Sequence, residues 1–198
     1  MINKYNIYNM LLAILLFSLP ISEAIKQMAL WLFVVTGIFI LVKDKTQIKF
    51  DLLNISFILF LVFTALSCIV NQTSIKVLFD PLRCVLFFIV LRNLGIRYIN
   101  IKLNIYALFA GFLTAFVLAC ITKITSNDPF APLELKSIGH VNHSAIFMLL
   151  MLLVSLSFID SKDKFLKSSC LVIAIISTCG ILIAGSRATM YLLPVVIF

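Results

Sequence analysis

Apolar residues in this chain fall into long, unbroken runs, separated by short clusters of polar and basic residues. A bilayer core about 30 Å thick requires ~20 mostly apolar residues per helix, and runs approaching that length recur from end to end. The pattern predicts helices over about 7–21, 28–42, 52–70, 77–91, 103–121, 144–159 and 169–184, with an eighth beginning near Ala188. Strands of a transmembrane barrel would alternate apolar and polar residues over about ten positions, and these runs do not alternate. The expected fold is all-α: a polytopic transmembrane helix bundle of about seven helices plus the start of an eighth. There is no long-range repeat, low-complexity tract or Gly/Ser linker, so residues 1–198 read as a single membrane domain.

Composition narrows the class. Of 198 residues, 63% are hydrophobic and 12% charged, and mean hydropathy is +1.17. A soluble domain needs about twice that share of charge to cover its surface, so the lipid bilayer is the expected partner. The 18 phenylalanines suit lipid-facing and helix-packing surfaces. A net charge of +8 would raise nucleic acid in a soluble protein. Here the basic residues lie mostly in short loops, and nucleic acid is not expected as a partner.

Those loops predict an orientation. Lys43, Lys45 and Lys49 fall between the second and third runs, Arg92, Arg97 and Lys102 between the fourth and fifth, and Lys162, Lys164 and Lys167 between the sixth and seventh. The intervening loops at 22–27, 71–76 and 122–143 carry fewer. By the positive-inside rule the N-terminus and the basic loops are cytoplasmic, and the 122–143 loop and the Gly185-Ser186-Arg187 turn are outside. Tyr5 and Tyr8 stand where interfacial aromatics belong. Lys4, the apolar stretch 10–19 and Ser22-Glu23-Ala24 resemble a cleavable signal peptide, but an uncleaved first helix is the expectation, since polytopic proteins rarely need a removable signal. Cys68, Cys84, Cys120, Cys170 and Cys179 form no Cys-x-x-Cys pair and are expected as packed thiols, neither disulfides nor zinc ligands.

Candidate chemistry lies at the predicted membrane edges. Arg187 is the strongest candidate, because a charge there is expensive unless it holds something and its fork binds phosphate oxygens bidentately. The alternative is an arginine snorkelling to lipid headgroups. Asp80 and Arg83 are three apart and can pair on one helical face, either as a local ion pair or as a second phosphate contact oriented by the aspartate. His140 and His143 flank Asn142 at the start of the sixth run. No third ligand has suitable spacing, so no metal is expected; a histidine here suits general-base work or a phosphate contact. The bland alternative is helix capping by Asn142 or Ser144. Lys123 and Lys136, with Asp128 and Glu134 nearby, could attract an anionic substrate or simply belong to a solvated loop. Pro129 and Pro132 break regular structure there.

The segment Gly139-His140-Val141-Asn142-His143-Ser144, followed by an apolar helix, a basic turn and a second apolar helix ending Ala184-Gly185-Ser186-Arg187-Ala188, resembles the central helices of the O-antigen ligase and polymerase family. The resemblance covers residues 137–198 most clearly, in a Gly-x-x-Asn helix start, a basic cytoplasmic turn and a Ser-Arg helix end. It implies glycan transfer from undecaprenyl diphosphate to lipid A–core or to a growing polysaccharide, at the periplasmic face of the bacterial inner membrane, without a cofactor. Arg187 and His143 would be catalytic. Arg187, Arg83, His140, Asn142 and Lys123 would hold the diphosphate and glycan. Family members carry further helices and a large outer loop with a histidine, so the resemblance also implies an incomplete domain of reduced activity. The competing classes are a transporter and a non-catalytic membrane assembly protein. Charges confined to membrane edges and the lack of paired halves weigh against the transporter.

Overall fold

The computed structural model describes residues 4–45, 51–72, 74, 76–94, 99–126 and 132–197. Among them the chain forms eight α-helices and no strand: α1 (Lys4–Ser18), α2 (Glu23–Lys43), α3 (Leu52–Val70), α4 (Lys76–Leu94), α5 (Ile101–Thr125), α6 (Val141–Ser157), α7 (Lys164–Ala184) and α8 (Arg187–Ile197). The fold is all-α, as the runs predict. Four helices, α2, α3, α5 and α7, are long and apolar enough to cross a bilayer. Helices α1 and α6 are apolar but shorter, and α4 contains Lys76, Asp80, Arg83 and Arg92 within its 19 residues. Lys49, Arg97, Asp128 and Pro129 lie outside the described residues.

Local chemistry explains where the boundaries depart from the hydrophobic runs. Helix α1 stops at Ser18, where Pro20 two residues on has no N–H to continue the ladder; the amides of Ile21 and Ser22 close a last turn on the Ser18 carbonyl at 3.0 and 3.1 Å. Helix α5 continues to Thr125, with the Thr122 and Thr125 hydroxyls donating to the carbonyls of Leu118 and Ile121, each at 2.9 Å. Lys123 therefore lies in the last turn of α5 and not in a loop. Helix α7 begins five residues before its apolar run, because the Asp163 carboxylate accepts the amides of Phe165 and Leu166 at 3.1 and 3.4 Å and so supplies an N-cap. Lys164 and Lys167 become part of its first turn.

The chain packs as two compact units, 1–15 with 24–104, and 16–23 with 105–198. In the first, Tyr8 of α1 stacks on Phe33 of α2 with ring centroids 4.5 Å apart, and Phe33 meets Phe87 of α4 at 5.3 Å. Tyr8 is thus fully buried against protein. Gly37 of α2 lets Val90 of α4 approach closely. Helix α3 packs mainly on α4, through Phe57 stacked on Phe88 at 5.5 Å. It buries little of itself: only Asn54 along its length is enclosed.

Helices α3 and α4 are also tied where α3 starts and α4 ends. The Asp51 carboxylate caps α3 by accepting the Asn54 amide at 3.1 Å, and Arg92 grips the same carboxylate with both Nη atoms, Nη1 to Oδ1 at 2.8 Å. The Asn54 amide first, and the Arg92 charge next, hold the Asp51 carboxyl below the usual carboxylate range. A depressed value means that its stabilisation is present at neutral pH and lost as pH falls through that value. Asp51→Asn keeps the cap and removes the charge. We expect this variant to melt below wild type in detergent at neutral pH, and the two curves to converge in acid.

The second unit is built on the α6–α7 pair with α8 packed on both, and α5 joins their core through Phe109, Phe112, Ala115 and Ala119. Helix α7 buries Leu166, Cys170, Ile173, Ser177, Gly180, Ile181 and Ala184, one face that widens at the adjacent Gly180 and Ile181. Helix α6 buries Ser144, Ala145, Met148, Leu149, Met151, Leu152 and Ser155. Gly111 of α5 faces the backbone of Phe17: a Cβ there would sit 2.8 Å from the Phe17 carbonyl carbon and Cα. Backbone cannot swing aside as a side chain can. We expect Gly111→Ala to cost about 1–3 kcal/mol, read as a lower unfolding midpoint in detergent.

Candidate functional site

The packing of the second unit brings distant parts of the chain to one end. Helices α6 and α7 are joined by the short turn 158–163 and lie side by side, so they run antiparallel. Met148 of α6 lies against Gly180 of α7, which sets the start of α6 level with the end of α7. Helix α5 runs parallel to α7: Tyr106 meets Phe165 at 5.6 Å near their beginnings, and Phe116 reaches Gly180 further along. The end of α5, the start of α6, the end of α7 and the start of α8 therefore share one end of the unit. Lys123, His140, Asn142, His143 and Arg187 all lie there.

Arg187 does not close α7. Gly185 ends that helix in the left-handed region, φ 70°, which glycine adopts without the Cβ penalty. The chain turns, and Arg187 is the first residue of α8. Ser186 before it is buried, and its hydroxyl accepts from the Thr189 hydroxyl at 3.0 Å. The Arg187 side chain is exposed and no hydrogen bond or ion pair holds it among the described residues. A cation at a helix N-terminus faces the positive end of the macrodipole, an arrangement disfavoured by roughly 0.3–1 kcal/mol at the surface. Unpaired amides and a guanidinium side by side both favour an anion.

His140 caps α6. Its Nδ1 accepts the Asn142 amide at 3.3 Å, which requires that nitrogen to be unprotonated and leaves Nε2 as the outward atom. Neither Asn142 nor Ser144 does the capping: the Ser144 hydroxyl is buried and accepts the Leu135 amide at 3.0 Å. The His140 and His143 rings are 6.1 Å apart, both exposed. Among the described residues no group of three or more His, Cys, Asp or Glu side chains is gathered that could hold a metal.

The segment leading into α6 is more structured than a solvated loop. Leu133 and Leu135 are fully buried while Glu134 and Lys136 point outward. The Ile138 and Gly139 amides both close on the Leu135 carbonyl, at 2.9 and 3.0 Å, and the Ser137 hydroxyl donates to the Leu19 carbonyl at 3.1 Å. Sequence reasoning passed over this anchor, although the Leu-Glu-Leu-Lys alternation carries its signal.

Arg83 belongs to the first unit. It pairs with Asp80 at 2.9 Å, the contact their spacing predicts, and it also donates to the Gln27 side chain. Its guanidinium is thus occupied within its own unit. Lys123 is half-buried in the last turn of α5, where a cation complements the helix dipole. No protein-family model, curated protein or solved structure matches the chain.

The cap gives a direct test of this end's rigidity. His140→Ala is expected to destabilise the start of α6 by ~0.5–2 kcal/mol, read as faster amide hydrogen exchange over 141–145. His140→Asn, a strong capping residue, is expected to restore protection.

Proposed function

We propose that this is a membrane protein that binds a polyprenyl diphosphate-linked glycan, acting as an O-antigen ligase or polymerase-like glycosyltransferase at the outer face of a bacterial inner membrane. The observation that carries the reading is Arg187: exposed, held by no partner among the described residues, and set at the N-terminus of α8 at the end of the unit where His140, Asn142, His143 and Lys123 also lie. A diphosphate would satisfy the guanidinium and the helix N-terminus together. Several apolar helices capable of crossing a bilayer suit a substrate whose carrier is a lipid.

In this reading Arg187 takes up charge that develops on the departing diphosphate, an electrostatic contribution that grows toward the transition state. His143 accepts the proton of the attacking acceptor hydroxyl, which frees that oxygen to form the new glycosidic bond as the diphosphate leaves. His140 offers Nε2 and Asn142 its amide to the glycan, and Lys123 adds positive potential. The proposal does not need Arg83, which Asp80 and Gln27 already engage. One observation favours the non-catalytic alternative: His140 has a complete structural role as a cap.

Binding separates these readings without requiring turnover. The chain would be reconstituted in vesicles and titrated with radiolabelled undecaprenyl diphosphate. Loss of a charge-assisted contact worth about 1.5–3 kcal/mol is expected to make Arg187→Ala bind roughly ten- to a hundredfold more weakly. Arg187→Lys should fall between. Equal affinity for wild type and Arg187→Ala would remove the basis of the reading.

A further inference from the structure

A cavity of about 290 Å³ opens between α5 and α7. It lies toward the opposite end of the second unit from Arg187, beside the first turns of α7. Tyr106, Phe109 and Leu113 form one wall, and Phe165, Val172 and Ile173 the other. The two serines in its lining add little polarity: the Ser169 hydroxyl is spent on the Phe165 carbonyl at 2.9 Å, and Ser168 is exposed toward the mouth. This is a hydrocarbon-lined trough along helices long and apolar enough to cross a bilayer. Left empty, its walls would forfeit dispersion contacts. Its volume is at the low end of ~300–1,000 Å³ for small-molecule sites, which suits a single chain.

The mouth is basic. Lys164 stands four residues before Ser168 on the same stripe of α7, and Lys162 lies in the turn just before. Both are exposed and no ion pair holds either among the described residues. Of the two acids in the turn, Asp163 turns its carboxylate onto the Phe165 and Leu166 amides. Asp160 is the other, against the three lysines Lys162, Lys164 and Lys167, so the turn keeps a net charge of +1. Helical side chains lean toward the N-terminus, so a lysine at the start of α7 extends away from the trough toward the headgroup level, where its ammonium stays hydrated.

We propose that this trough is a binding site for one anionic phospholipid, with an acyl chain along the Tyr106–Val172 walls and the headgroup phosphate held by Lys162 and Lys164. The apolar trough and the exposed lysines at its mouth together match a phosphate carried on a hydrocarbon chain. The site rests on the membrane character of the chain and is independent of glycan transfer.

The test is lipid retention by the full chain, measured by native mass spectrometry in detergent with added phosphatidylglycerol or phosphatidylcholine. Phosphatidylglycerol is expected to be retained preferentially. Lys162→Gln with Lys164→Gln should lower its retention about fivefold per lysine and leave phosphatidylcholine unchanged. Ala110→Phe, at a lining residue of α5, fills the trough and should abolish retention with both lysines present; Ser168→Phe, from the α7 side, serves if Ala110→Phe does not fold. A phosphatidylglycerol with a diazirine on its acyl chain should label residues 106–113 and 165–173. Equal retention of the two lipids, phosphatidylglycerol retention indifferent to these variants, or labelling elsewhere would overturn the proposal.

Discussion

The second unit depends on how closely α7 approaches its neighbours at Gly180. A Cβ there would lie 2.5 Å from the Met148 sulfur and 2.9 Å from a Phe116 ring carbon, so the missing side chain is what lets three helices meet. In lipid there is little hydrophobic gain from pressing one apolar helix on another; small residues and van der Waals fit supply the association. The contact also fixes register. With Met148 and Phe116 both set against Gly180, the start of α6 and the end of α5 are carried to the end where α8 begins.

That register gives separate chemistry to the two ends of the unit. At one end are histidines, Asn142 and an exposed arginine on a helix N-terminus. At the other, the Lys162-Asp163-Lys164 turn stands over an apolar trough. Both proposed ligands are phosphate-bearing lipids, and the same rule recognises each: cations at the headgroup level and hydrocarbon below. The difference lies in the cation. Arg187 offers a planar fork suited to a fixed diphosphate, and the lysines offer point charges suited to a mobile headgroup.

Much of the helical layout was legible because burial in lipid leaves a coarse signal: continuous apolar length. Helix α3 matches its hydrophobic run residue for residue, since it has almost nothing to pack against and little else sets its limits. The failures fall where a single polar group overrides hydropathy. Pro20 cuts α1 short, and Asp163 starts α7 early. Gly185 was visible as a small residue beside Arg187, but not as the left-handed stop that moves the arginine from the end of one helix to the beginning of the next. The pairing of Asp80 with Arg83 could be read from spacing. The stacking of Tyr8 on Phe33 could not, because nothing local shows which distant aromatic a tyrosine packs on.

The register of α6 against α7 is the claim on which the cationic end depends, and a distance measures it most directly. Spin labels at His143→Cys and Arg187→Cys, in a chain whose five native cysteines are replaced, would be compared with a pair at Lys164→Cys and Arg187→Cys by double electron–electron resonance. The second pair spans α7, roughly 30 Å at 1.5 Å per residue. The packing predicts a clearly shorter distance for the first pair. A 143–187 distance equal to or longer than the 164–187 distance would mean that α6 does not lie antiparallel in this register, and that the cationic end does not assemble.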